Sequence, residues 1–369
     1  MPVGPFADRA VAARLGRLRR LMRKSSCPAV LIAGPENRRY FSGFSPTDPT
    51  LVESVGALFV TLDRQFLLSD SRYVLAAERE AVGFEFVLVK GGGLGAALAE
   101  LPKAKEGFFF EPNYLTVAGL NGLTAAIKGP LKPLPFDPSS LRAVKSAAEL
   151  ALIKKALRIT EKAIGQLWES LEPGWTEARA AFFLDRTFRE LGAEGSAFET
   201  IVASGPQAAL PHASPGEKTI QNGEAVVIDC GARYQGYAAD ITRTMIVGSP
   251  KGWQKKIYRA VREAQLKAIE AIRPGARSCD VDQAARGHIQ KAGYGRHFNH
   301  GLGHGVGLAV HEAPSLSARN KEPLTPGNVV TVEPGIYLPG RGGVRLEQLV
   351  VVTKNGHGLL NGDGHFYDF

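Results

Sequence analysis

Short apolar runs alternate with amphipathic stretches along the first third of the chain. Runs at 29–32, 57–62, 84–89 and 107–110 have the length and composition of buried strands. Stretches near 72–80, 95–101 and 115–127 carry helical spacing instead. Strands and helices in alternation predict an α/β domain. The segment 129–138 contains four prolines and no helical period, so it reads as a linker or extended crossover. It divides the chain into domains 1–135 and 136–369. In the second domain, helical patterns at 147–172 and 176–191 precede strands. A second helical pair at 252–272 and 279–292 precedes the final strands. That order suits an α+β fold, and the two helix-then-strand halves hint at an internal duplication.

Several of the later strands end in, or contain, an acidic residue where the pattern demands burial. Asp229 closes the apolar run 225–228, where an unpaired carboxylate costs several kcal/mol. A turn at 231–237 and a returning strand at 239–247 would bring Asp240 beside it. Two such charges repel unless a cation or a shared proton joins them. The strand-like segments 329–337 and 343–352 carry Glu333 and Glu347 in apolar surroundings. Arg345 lies two positions before Glu347 and should project to the same side of its strand. It could pair with Glu347 or contact a substrate. The glycine-rich stretch 299–307 fits neither strand nor helix and lacks the lysine and following helix of a nucleotide cradle. Its glycines permit close backbone approach and leave His304 free to point at a metal. Asp229, Asp240, His304, Glu333 and Glu347 together form a hard, oxygen-rich set able to hold two divalent cations about 3.5–4 Å apart, the arrangement of metal-assisted hydrolysis.

Eight ordered blocks carry a family resemblance: 198–205, Pro211-His212, Asp229-Cys230-Gly231, 240–244, Gly303-His304-Gly305, 310–314, Glu333-Pro334-Gly335 and 344–347. Together they resemble the pita-bread metallopeptidases, and within them the Xaa-Pro aminopeptidase and prolidase subfamily. The likeness is strong from about 140 to 369. It extends more loosely to 37–44 and 69–73, which resemble that subfamily's non-catalytic domain. The resemblance implies a creatinase/prolidase-type α/β N-terminal domain before a pita-bread α+β catalytic domain. It implies that Asp229 and Asp240 bind one metal, that Asp240 and Glu347 bridge to a second, and that His304 completes the ligand set of that second metal. Glu333 would ligate and act as general base. His212 and His311 would hold substrate and stabilise the oxyanion, while His300 either binds substrate or shapes its loop. Manganese is the expected ion, with cobalt, zinc and iron also compatible. A homodimer is expected, with the smaller domain shaping the substrate entrance.

This chain departs from the family pattern at Gln207, Cys230, Gln348 and Ser315. Ser315 stands where proline dipeptidases tend to place an arginine for the substrate carboxylate. That favours an Xaa-Pro aminopeptidase acting on peptides with proline second, with Xaa-Pro dipeptidase as the alternative. A methionine aminopeptidase or an inactive binding protein of the same fold is a weaker reading, since all five ligand positions are intact.

Composition narrows the remaining choices. A length of 369 residues suits two domains. Cys27, Cys230 and Cys279 are too few for a disulfide framework, which points to a reducing compartment. No apolar run reaches the roughly 18 residues of a membrane span and no leader pattern opens the chain, so a cytoplasmic protein is expected. The net charge is +9, and basic residues crowd 9–24. Val11, Leu15, Leu18 and Met22 nevertheless recur on one helical face, which predicts a packed helix with snorkelling arginines in place of a nucleic-acid surface.

Overall fold

In the computed structural model, which describes residues 6–369, the chain divides into one compact unit ending at Arg142 and another spanning Ala143–Phe369. The first unit is built on six strands: β1 (Ala29–Ile32), β2 (Ala57–Thr61), β3 (Gln65–Ser69), β4 (Glu85–Leu88), β5 (Phe108–Phe110) and β6 (Leu131–Pro133). Their order in the sheet is β4-β3-β2-β1-β5-β6. β1, β2 and β3 pair antiparallel, whereas β3–β4, β1–β5 and β5–β6 are parallel. Parallel neighbours need a crossover. Helices Val74–Glu80 and Val117–Ala126 lie in the β3–β4 and β5–β6 connections. Leu31, Phe59, Leu68, Leu98, Phe108 and Leu123 meet in the core of this unit.

Two features of this unit differ from the sequence expectation. The proline-rich segment is not only a linker, because Leu131–Pro133 forms the edge strand β6, where a missing N–H on the outer side costs no ladder bond. The division between units accordingly falls after 142. Helix Pro35–Ser42, with proline in its first turn and Gly43 at φ +82° closing it, was masked by its polar composition. The basic helix Asp8–Lys24 buries Val11, Leu15, Leu18 and Met22. Arg14 reaches the Tyr40 carbonyl and lies 4.0 Å over its ring, and Arg19 donates to the Thr61 carbonyl.

The second unit opens with helix Ala147–Ser170, started by a reciprocal cap between Ser146 and Glu149. Helix Glu177–Glu190 follows, capped by Thr176. Then come β7 (Gly195–Ser196), β8 (Ile201–Ser204), β9 (Ala225–Cys230), β10 (Ala232–Tyr234), β11 (Tyr237–Ala238) and β12 (Ile241–Ile246). Helices Gly252–Ala271 and Ser278–Lys291 lead into β13 (Gly303–Gly305), β14 (Glu312–Leu316), β15 (Val329–Val332), β16 (Gly335–Leu338), β17 (Gly342–Arg345), β18 (Gln348–Val352) and β19 (His357–Leu359). They form sheets β12-β9-β8, β11-β10-β7, β14-β13-β15-β18-β19 and β16-β17. Val261, Ile269, Ile289, Leu302, Val332 and Val344 are buried together where the second helix pair covers the later strands. Among the described residues no helix is long and apolar enough to cross a membrane.

Candidate metal centre

Asp229 lies on β9 opposite Thr242 of β12, and Asp240 immediately precedes β12. The residues between them do more than turn: 232–238 form the β10–β11 hairpin, which pairs in a different sheet. A Cβ at Gly231 would overlap the Ala239 carbonyl, so the return of the chain here requires glycine.

Glu333 and Glu347 occupy breaks. Each segment read as a single strand is two: β15 gives way to β16 at Glu333-Pro334, and β17 to β18 at Leu346-Glu347. Pro334 has no N–H to continue the ladder. Both glutamates therefore sit where the chain switches sheets, and the Glu347 N–H donates to the Thr242 carbonyl at 3.0 Å. His304 is the middle residue of β13, so the glycine-rich stretch contains a strand after all. Cβ atoms at Gly303 and Gly305 would overlap the carbonyls of Thr331 and Ala313, which shows that these glycines admit neighbouring strands and not a ligand.

These elements bring the candidate ligands together. Ligand atoms of Asp240, His304 and Glu347 all lie within 4.8 Å of one another. His304 Nε2 is 3.6 Å from Asp240 Oδ2 and 3.3 Å from Glu333 Oε1. Burial, then repulsion from Glu347, Asp229 and Glu333, holds the Asp240 carboxyl well above the usual range. Glu347 is raised likewise by burial and by Glu333 and Asp229. Glu333 shows the reverse outcome. Burial pushes it up, but the hydrogen bond and charge of His304 outweigh burial and leave it low. Asp229 Oδ1 and Glu347 Oε1 are buried without any hydrogen-bond donor. Each such orphan costs about 1–3 kcal/mol unless something else satisfies it. Convergent carboxylate oxygens lacking donors, with one imidazole beside them, fit hard divalent cations.

A cavity of about 290 Å³ opens over this cluster, and eight of the nine candidates from the sequence line it; Glu347, 1% exposed, lies behind the wall. His212, His300 and His311 face the cavity together with the apolar Phe198, Ile201 and Val310. The His311 ring stands 4.2 Å from that of His304; the residue keeps an exposed face, and partial desolvation followed by the His304 charge lowers its pKa. His300 Nε2 lies 3.0 Å from the Tyr337 hydroxyl and Nδ1 lies 2.8 Å from the Gly301 carbonyl. Burial lowers the pKa of His300, which leaves a neutral ring anchored at both nitrogens.

Arg345 does not pair with Glu347. Its Nη2 donates to Asp229 Oδ2 at 2.6 Å, Nη1 to the Tyr337 hydroxyl at 3.0 Å and Nε to Thr242 Oγ1 at 3.1 Å. The strand ends at Arg345, so the alternation that should have placed it beside Glu347 does not hold. Tyr337 is the residue that the sequence reading missed. Its place on β16, two residues after Gly335, gave no chemical signal without the fold. Cys230 is fully buried, and burial and then Asp229 raise its thiol well above the usual value, so it is inert. Ser315 is exposed, and its carbonyl accepts from Asn320.

A sequence model of metallopeptidase family M24 matches residues 151–354, and one of the creatinase/prolidase N-terminal domain matches residues 14–144. The chain is 40% identical to the Xaa-Pro dipeptidase of Pyrococcus horikoshii over 91% of this chain and 93% of that one. It superimposes on the Xaa-Pro dipeptidase of Bacillus anthracis with a TM-score of 0.89 at 35% identity, covering 96% of this chain and 98% of that one. For the X-Pro aminopeptidase of Thermotoga maritima the TM-score is 0.85 at 33% identity, with 95% and 98% covered. The fold is thus a creatinase-type N-terminal domain followed by a pita-bread catalytic domain.

Proposed function

The chain belongs to metallopeptidase family M24, and on that premise we propose that it is an Xaa-Pro dipeptidase holding two divalent ions through Asp229, Asp240, His304, Glu333 and Glu347. The observation that carries the ligand set is the convergence of Asp240, His304 and Glu347 within 4.8 Å, with Glu333 3.3 Å from His304 and buried oxygens on Asp229 and Glu347 that no donor reaches. Manganese is the ion we assign first, on the hardness of this donor set. Divalent cations bound there supply Lewis acidity toward the scissile carbonyl and acidify the attacking water.

The chain's own groups do the rest. Glu333, which lines the cavity beside His304, takes a proton from the attacking water and passes it to the proline nitrogen as the C–N bond breaks. Neutral His311 donates to the oxyanion that forms at the carbonyl carbon. His212 orients the bound peptide from the cavity wall, while His300, with both nitrogens engaged, holds its loop and the Tyr337 hydroxyl in place. Arg345 holds Asp229 in place from behind.

The names of the relatives at 35–40% identity support dipeptides as the substrate class. The cavity, at about 290 Å³, also sits at the small end of ligand pockets, which run from about 300 to 1,000 Å³. A second reading, Xaa-Pro aminopeptidase, is favoured by Ser315, which brings no cation to the cavity. Steady-state kinetics on Ala-Pro and Ala-Pro-Ala with the manganese-loaded protein decide between them. The dipeptide should show the higher kcat/KM by at least about tenfold, or about 1.4 kcal/mol of transition-state binding. A tripeptide preference would make the enzyme an aminopeptidase, and inactivity on both with Met-Ala cleaved would remove the proline specificity.

A further inference from the structure

Arg243 is a fully buried guanidinium in the second unit, and no step of the reaction uses it. Its side chain is 0% exposed, and that of Asp363, which pairs with it, is 3% exposed. Nε donates to Asp363 Oδ2 at 2.9 Å, and Nη2 donates to Oδ1. The third donor group faces the opposite way: Nη1 reaches the carbonyl of Thr242 at 2.9 Å and that of Glu347 at 2.6 Å. Thr242 in turn donates its hydroxyl to Glu347 Oε2 at 2.8 Å. One guanidinium therefore ties together the strand that follows Asp240 and the sheet switch that carries Glu347.

The segment around Asp363 is itself held firmly. Glu161 accepts the Gly362 N–H at 2.8 Å, and Asn361 Oδ1 accepts the Leu349 N–H at 2.7 Å. Phe366 lies against two guanidinium groups, 4.4 Å from that of Arg243 and 3.9 Å from that of Arg262. Tyr367 accepts the Ile246 N–H on its hydroxyl at 2.9 Å, at the far end of β12.

We propose that Asp363 is a positioning residue for the metal centre: through Arg243 it sets the backbone that presents Glu347 and Asp240. The inference rests on the ligand assignment made above. Its physical basis is that a guanidinium has a planar fork of fixed geometry, so a two-pronged carboxylate on one edge fixes where the opposite edge can reach. Glu347 has no donor on Oε1, so its orientation depends on Thr242 and on the backbone that Arg243 grips.

The test is calorimetric titration of Mn²⁺ into the metal-free full chain, with circular dichroism to verify folding. Asp363→Asn removes the charge. Because this leaves a buried cation unpaired, the double variant Arg243→Met/Asp363→Leu is run beside it, as replacing both partners of a buried pair by apolar groups is often tolerated. Tyr367→Phe loosens the same segment at the Ile246 end without touching Arg243. We expect two ions per wild-type chain, weakening by about tenfold or more in Asp363→Asn and in the double variant, as for groups that orient a ligand from behind. Tyr367→Phe should bind as the wild type does. Wild-type affinity in either clamp variant overturns the proposal, and so does equal weakening by Tyr367→Phe. Failure of both clamp variants to fold would also overturn it, leaving the segment a purely structural role. A wild-type chain that binds no ions would instead sink the ligand assignment.

Discussion

Glu111 in the first unit and Glu347 in the second are buried almost equally, 3% and 1% exposed, yet their surroundings are opposite. Glu111 receives the N–H groups of Ala33 and Gly34, both at 2.7 Å, and the Asn37 amide at 2.5 Å. Glu347 has one hydroxyl on Oε2 and nothing on Oε1. In sequence the Glu111 site resembles that of Asp229, since each acid closes an apolar strand: 108–110 before Glu111, 225–228 before Asp229. Burial of a carboxylate is thus no mark of a ligand. Burial raises the pKa of Glu111 as it does that of Glu347, so the mark is convergence: several buried acids meeting at one place, with oxygens on Asp229 and Glu347 that the chain leaves without donors, so that a cation from outside can satisfy them.

The sharpest way to break this contrast is Asp240→Asn. Removing one charge from the repelling cluster should raise the melting temperature of the metal-free protein while abolishing peptidase activity. The wild type should gain about 2.7 kcal/mol of stability for each ion bound at a free-ion concentration of 100 Kd, and the variant far less. Scanning calorimetry with and without Mn²⁺ tests both halves, and a metal-free variant less stable than the wild type would contradict the reading. In the first unit the sign reverses. Glu111→Ala strands two backbone N–H groups and an amide, and should cost about 3 kcal/mol in urea denaturation. Its metal content should not change, and any loss of ions would dissolve the distinction between the two sites.

His311→Ala separates substrate chemistry from ion binding within the cavity. Turnover should fall about 10²-fold, as for removal of an oxyanion donor, with two ions still found by elemental analysis. Loss of an ion would make His311 a ligand instead. The smallest effect concerns Asp363, a buried acid satisfied as Glu111 is. Burial raises its pKa, but the hydrogen bonds and charge of Arg243, aided by His365, bring it below the usual 3.8. As pH falls, the unfolded chain takes up this proton first. The stability from Asp363 is therefore complete above 3.8 and is lost as pH drops through the lower folded value. The stability gap between wild type and Asp363→Asn should narrow below that pH in acid titrations, and a constant gap would deny the pairing.

Much was legible in the chain because it is local. An apolar run closed by aspartate, a long helical pattern such as that of Ala147–Ser170 and an apolar stripe on Asp8–Lys24 are written in consecutive residues, through spacing and the energetics of burial. The motifs around Asp229, Asp240, His304, Glu333 and Glu347 identified the family in the same way. What the chain could not announce are partners chosen across long separations. Arg345 takes Asp229, 116 residues away, over its neighbour Glu347. Arg243 reaches Asp363, 120 residues on, and Tyr337 enters the cavity only because β16 folds back on β17. Strand breaks at Glu333 and Leu346 cancel the alternation from which side-chain direction had been read. Periodicity fixes what is buried, since it follows from the geometry of a single element; which buried groups meet is decided by register and packing between elements, and those exist only in the folded chain.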